Sequence, residues 1–295
     1  MRTSYFVLVL LIAGCSQPQQ QVTTSEAPYT LAQPKADWVT TRVNESRERL
    51  QATEAGQLLW NSIEYHGGLA AWWSNGPLYF RFNYQPLNNT GTPRDTYETA
   101  DYWGARARHQ RSVDQSVEYG WDGKTAWFNP DTASIPYNTR FWALTPYYFV
   151  GMPFVFADEG VNLALEGDVT YEGKTYHTVR VTFGAGVGDA PDDYYVLYID
   201  PATYRLSTIR YIVSYPGYFK DGGHSQEKLM TYEGQQTVGE ITLPTNHRTF
   251  MWNDDGSIGD YVTEITLSDV AFRPQTESSY FDAPKESYLY QGLVE

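Results

Sequence analysis

From Pro77 onward the chain alternates apolar and polar residues with period two, in run after run. Phe80, Phe82 and Tyr84 alternate with Tyr79, Arg81 and Asn83; Val179, Val181 and Phe183 alternate with Arg180 and Thr182; Tyr211, Val213 and Tyr215 alternate with Arg210 and Ser214. Successive side chains of an extended strand point to opposite faces, so this pattern is that of half-buried strands. Turn residues separate many of the runs, among them Asp122-Gly123, Glu172-Gly173, Asp200-Pro201 and Asp254-Asp255-Gly256. The spacing predicts about ten or eleven antiparallel strands.

Two stretches break the alternation. Residues 44–65 read as a helix, with Asn44 as its cap and Ala52, Ala55, Leu59 and Ile63 on one narrow apolar face; Gly67-Gly68 stops it. Residues 138–158 carry Pro146 and Pro153 and are apolar on nearly every side. The prolines prevent one long uninterrupted helix, so short helical pieces are expected, and pieces so apolar must be buried or face lipid. The apolar run 147–157 is too short to span a bilayer. Helices plus an antiparallel sheet make the fold class α+β, and nothing within 44–285 reads as a linker, so one domain is expected over 44–295.

With 41% hydrophobic residues in a chain of 295, there is enough apolar surface for a substantial core. The single cysteine excludes a disulfide scaffold. A balance of 21 basic against 35 acidic residues, net −14, argues against a nucleic-acid partner.

The N-terminus has its own logic. A short basic start is followed by apolar residues and then Leu11-Ile12-Ala13-Gly14-Cys15. This is similar to the bacterial lipobox, in which the cysteine is acylated and becomes the mature N-terminus. Residues 1–14 then form a lipoprotein signal peptide and Cys15 the lipid attachment. Residues 15–43 are expected to include a flexible tether, because the Gln-, Thr- and Pro-rich stretch after Ser16 offers little to bury. Ser16 rather than Asp after the cysteine resembles lipoproteins sorted to the outer membrane. The expected place is therefore lipid-anchored in the outer membrane, facing the periplasm.

Candidate chemistry is sparse. The five histidines are isolated in sequence, no zinc pattern is present, and neither a metal site nor a cofactor is expected. His66 reads as a helix-end or packing residue, with a ligand role as the lesser alternative. Gly184-Ala185-Gly186-Val187-Gly188 lies between strands and reads as a hairpin loop, not a phosphate cradle. Asn253-Asp254-Asp255-Gly256 reads as a turn. Asp158-Glu159 and Asp192-Asp193 are carboxylate doublets whose members point apart on a strand, so a glycosidase-like pair would have to be assembled from elsewhere.

The aromatic set carries most of the information. Trp72, Trp73, Phe80, Phe82, Trp127, Phe141, Trp142, Tyr148, Phe149, Phe154 and Phe156 are either a filled core or the wall of a cavity for acyl chains. Arg106 and Arg108 share a strand face and are either a solvated surface or a contact for an anionic head group.

Tyr119-Gly120-Trp121-Asp122-Gly123-Lys124-Thr125-Ala126-Trp127 and Tyr198-Ile199-Asp200-Pro201-Ala202-Thr203-Tyr204-Arg205-Leu206 are similar to strand–turn–strand units of the lipoprotein-carrier and lipoprotein-receptor fold of the Lol pathway. His66-Gly67-Gly68 together with Tyr147-Tyr148-Phe149-Val150-Gly151-Met152-Pro153-Phe154 resembles an uncharacterised family of bacterial lipoproteins within that class. The resemblance implies a strongly curved antiparallel sheet, an open or half barrel, wrapped around helices with 138–158 as plug or lid. It also implies a non-catalytic binder of a lipid, lipoprotein acyl group or other apolar ligand. A carboxylate-dependent periplasmic hydrolase and a protein-interaction module are the alternatives.

Overall fold

The computed structural model describes residues 30–130 and 135–290. Cys15, the signal peptide and the first part of the tether lie outside them. Three helices come first: α1 (Ala36–Gln51), α2 (Glu54–Tyr65) and α3 (Gly68–Ser74). The single helix expected over 44–65 is thus two, and α1 begins at Ala36, inside the span read as tether. The break is chemical. Thr53 turns extended and its side chain accepts the Gly56 N–H, so α2 has a cap of its own. Gly56 also lies against the end of α1, where an added Cβ would meet the Leu50 carbonyl oxygen at 1.9 Å. Val39, Val43 and Leu50 of α1 and Ala55, Leu59 and Ile63 of α2 are buried.

The sheet begins with β1 (Leu78–Pro86), β2 (Arg94–Asp101), β3 (Arg106–Arg111), β4 (Glu118–Trp121) and β5 (Ala126–Asn129). Helix α4 (Thr139–Gly151) and a 3-10 turn, Phe154–Ala157, interrupt it. It resumes with β6 (Val161–Tyr171), β7 (Lys174–Phe183), β8 (Tyr195–Ile199), β9 (Leu206–Tyr211), β10 (Lys228–Thr231), β11 (Gln236–Val238), β12 (Ile241–Leu243), β13 (Asn246–Trp252) and β14 (Ile258–Phe272). A second 3-10 turn, Ser278–Phe281, precedes the short β15 (Tyr288–Leu289).

Thirteen strands form one antiparallel sheet in the order β15-β5-β4-β3-β2-β1-β14-β13-β10-β9-β8-β7-β6. The 15-residue β14 joins its two halves by pairing with β1 on one side and β13 on the other. The sheet curls without closing, so the fold is α+β with an open, curved antiparallel sheet. The two units that carried the sequence resemblance are hairpins β4–β5 and β8–β9. In each, an aspartate holds the turn: Asp122 accepts the N–H of Lys124 and Thr125, and Asp200 those of Ala202 and Thr203.

More strands are present than alternation alone predicts. Strand β6 is a sheet edge and exposed along most of its length, so it carries no apolar face to read. Pro244 and Thr245 separate β12 from β13, and β11–β12 form a separate hairpin. That hairpin covers the α2–α3 corner, where Thr242 N–H donates to the His66 carbonyl at 2.9 Å. Gly67 sits there at φ 118°, and a Cβ would come within 2.3 Å of the Glu240 carbonyl oxygen.

Helix α4 fills the concave side. Tyr102, just after β2, donates to the Tyr147 carbonyl at 3.0 Å; Tyr232, just after β10, donates to the Phe149 carbonyl at 3.0 Å. One helix therefore bridges opposite halves of the sheet. Pro146 is accommodated inside α4, and the chain breaks at Met152-Pro153. The 3-10 turn that follows packs on the N-terminal helices: Phe154 stacks on Trp72 with centroids 4.3 Å apart, and Ser46 donates to the Ala157 carbonyl.

Candidate ligand-binding site

Between α4 and the β7–β9 side of the sheet lies a cavity of about 390 Å³. Phe141, Leu144 and Tyr148 recur at three- and four-residue spacing on α4 and supply one wall. Phe183, Tyr195, Tyr211 and Val213 supply the other, and Val187 and Gly188 of the β7–β8 loop form part of the rim. The glycine-rich segment is therefore a hairpin loop, as its position between strands predicts.

Polar groups interrupt these walls at a few places. Arg140, in the first turn of α4, pairs with Asp189 from the β7–β8 loop and lies 3.7 Å over the Trp121 ring. Burial pushes the Arg140 pKa down and the Asp189 pKa up, each against the attraction of its partner. Arg42 reaches from α1 to Asp158 at 2.6 Å, its guanidinium packed on Trp73 and Trp103. Asp193 accepts from the Ser214 N–H at 2.5 Å and hydroxyl at 2.7 Å. Burial raises both carboxyls. The Tyr148 hydroxyl is pushed up to about 12, first by burial and then by Asp158, Asp189 and Asp193.

Of the eleven aromatic residues singled out in the sequence, Phe141, Tyr148 and Phe149 line this cavity. Trp72, Trp73, Phe80, Phe82, Phe154 and Phe156 are packed in the closed core. Trp127 is fully buried beneath the second 3-10 turn and donates to the Phe281 carbonyl. Trp142 faces away from the cavity toward Tyr84 and Arg94. Arg140, Asp189, Tyr195 and Tyr215 line the cavity without having been singled out. Tyr215 continues the alternation of Tyr211 and Val213, so face assignment is a usable signal there, whereas Tyr195 lies on β8, which is buried throughout. The Arg140–Asp189 pair spans 49 residues and left no local trace.

Arg106 and Arg108 are elsewhere. Arg106 is held by Asp101 at 2.7 Å and donates to the Ser278 carbonyl; Arg108 grips Glu118 with two hydrogen bonds and donates to the Tyr280 carbonyl. Both guanidinium groups pin the second 3-10 turn to β3. Glu118 is 9% exposed at its side chain. Replacing Arg108 with Met strands that carboxylate, and we expect a loss of about 3 kcal/mol in urea unfolding.

His66 caps α2 and is buried; its Nδ1–H donates to the Thr242 carbonyl at 2.8 Å, and Leu206 N–H donates to Nε2 at 3.3 Å. Both ring nitrogens serve the backbone. The 253–256 segment is the β13–β14 turn, closed by Asn253 N–H on the Ser257 carbonyl. Among the described residues no cluster of three metal-binding side chains occurs, and no helix is long and apolar enough to cross a membrane.

Residues 137–231 match a family of unknown function, DUF6503. The matched stretch runs from α4 through β10 and so contains most of both cavity walls. The search of curated proteins found no match. Several solved structures are similar over most of their length. A LolA superfamily protein from Nitrosomonas europaea shares 10% identity at TM-score 0.48, covering 75% of this chain and 94% of its own. A putative outer membrane lipoprotein-sorting protein domain from Vibrio parahaemolyticus shares 12% at TM-score 0.44, covering 84% and 97%. A DUF1329 family protein from Desulfovibrio piger gives 12% and 0.44, covering 82% and 97%.

Proposed function

We propose that this chain is a lipid-anchored, non-enzymatic binding protein for a lipid, lipoprotein acyl group or similar apolar ligand. It is tethered through Cys15 to the outer membrane and faces the periplasm. The observation that carries the reading is the cavity: about 390 Å³, walled by aromatic and aliphatic side chains from α4 and the sheet. That volume falls within the roughly 300–1,000 Å³ of small-molecule sites. An acyl chain gains about 0.8 kcal/mol for each CH₂ it buries, so useful affinity needs little polar contact. The nearby carboxylates are engaged in holding the structure, Asp158 by Arg42, Asp189 by Arg140 and Asp193 by Ser214. This counts against a hydrolase built on them.

The test is solvent extraction of the purified chain from Ser16 onward, followed by mass spectrometry and titration with a fluorescent fatty acid. Stoichiometric lipid or saturable uptake is expected, with a loss of at least tenfold in affinity for Tyr148→Glu, which puts a charge into the wall. Neither bound lipid nor uptake in the folded protein would end this reading.

A further inference from the structure

One donor beside the cavity lacks an acceptor. Arg140 Nη1 is buried without a hydrogen-bond partner, and Arg140 lines the cavity with Tyr215 next to it. The Arg140 side chain is only 10% exposed. Tyr215 lies within electrostatic reach of Arg140 and Asp189 alike. A buried guanidinium N–H without an acceptor is costly, so this corner of the cavity is short of oxygen atoms. The acceptor Arg140 does have comes from Asp189, which is 36% exposed and follows Gly186 and Gly188, both at positive φ, in the β7–β8 loop.

We propose that Arg140 anchors the carboxylate of a single-chain fatty acid, which takes the place of Asp189. The inference rests on the cavity being the ligand site. One carboxylate replaces another on the same guanidinium, so the charge count around Arg140 is unchanged while Asp189 swings to water. Asp189 has both oxygens on Nη2, whereas a free carboxylate can give one oxygen to Nη2 and turn the other to Nη1, and its chain lies along the aromatic wall. A carboxylate fits better than a phosphate monoester. Asp158 and Asp193 flank the same cavity, and their charges oppose a second negative charge on the ligand.

The experiment compares laurate, dodecanol and dodecyl phosphate, which share one chain length, on the delipidated full-length protein carrying Cys15→Ser. At pH 7.5 laurate should bind at least tenfold tighter than dodecanol, the ratio that a charge-assisted hydrogen bond sets. In Arg140→Gln that ratio should fall to within about threefold of one. Asp189→Asn, read on the protein that remains folded, should raise the ratio of laurate to dodecanol affinity at least threefold. Equal binding of laurate and dodecanol would overturn the anchor and leave the cavity standing. So would tighter binding of dodecyl phosphate, or an Asp189→Asn protein with an unchanged ratio of laurate to dodecanol affinity. Binding of no amphiphile at all would bring down the cavity reading with it.

Discussion

Between pH 7 and pH 4.5 the protein should lose several kcal/mol of stability, and two histidines should account for most of it. Burial lowers His66 and His247 from the ordinary 6.5 to about 4. Both rings are neutral in the fold: His66 donates to Thr242, and His247 Nδ1–H donates to the Thr231 carbonyl at 3.1 Å. Above pH 6.5 neither the folded nor the unfolded chain protonates them, and their contribution is complete. As pH falls from 6.5 to 4, the unfolded chain takes up two protons that the folded chain refuses. A gap of about 2.5 units on each ring corresponds to about 3 kcal/mol apiece at the acid end. Asp158, Asp189 and Asp193, raised by burial, act in the opposite sense and offset part of that loss near the carboxylate range.

Urea unfolding followed by tryptophan fluorescence at pH 7.5, 6.5, 5.5 and 4.5 reads this directly. The slope below pH 6 should approach two protons. His247→Phe should halve it: Nε2 of His247 has no partner, and its ring already sits edge-on to Tyr232 at 4.5 Å. A flat profile, or a His247→Phe slope equal to wild type, would contradict the assignment.

What could be read in the chain beforehand follows from what each element needs. Strands β1, β7 and β9 each have one face on the core, and their alternation shows it. Segment 138–158 is apolar nearly all round, which leaves burial or contact with lipid; the fold buries it, because α4 is enclosed from both halves of the sheet. Strand β8 is buried on both faces, with Leu197 and Ile199 in the main core and Val196 and Tyr198 in a smaller cluster outside it. Its composition and turns identified it better than its period. The division of the aromatic residues between core and cavity was not legible. Trp142 and Phe141 are neighbours on α4 and equally apolar, yet one meets Arg94 and the other the cavity. That choice is made by the helix's rotation against strands far away in sequence.

The same division predicts two opposite phenotypes from one kind of substitution. Trp72 is 2% exposed, stacked on Phe154 and set against Tyr102 with centroids 4.3 Å apart. It ties α3 to the turn that ends the α4 segment, so Trp72→Ala removes contacts on several sides and leaves a void that the surrounding sheet cannot close. A loss of about 3–5 kcal/mol is expected. Fatty-acid affinity of the protein that remains folded should stay within about threefold, a difference under 1 kcal/mol. Tyr148 is half-buried, and its ring faces space that is already open. Tyr148→Ala should therefore cost about 1 kcal/mol in stability, since little packing is lost. Its affinity for the same fatty acid should fall about tenfold, because the chain loses an aromatic surface to lie against. Urea midpoints and fluorescence titrations on the two variants, measured side by side, decide the matter. If Trp72→Ala weakens binding as much as Tyr148→Ala does, ligand contact extends beyond the cavity into the core around Trp72. If Tyr148→Ala is as destabilising as Trp72→Ala, its ring is a packing element and the wall of the ligand site must be sought on the sheet side, at Tyr195 and Tyr211.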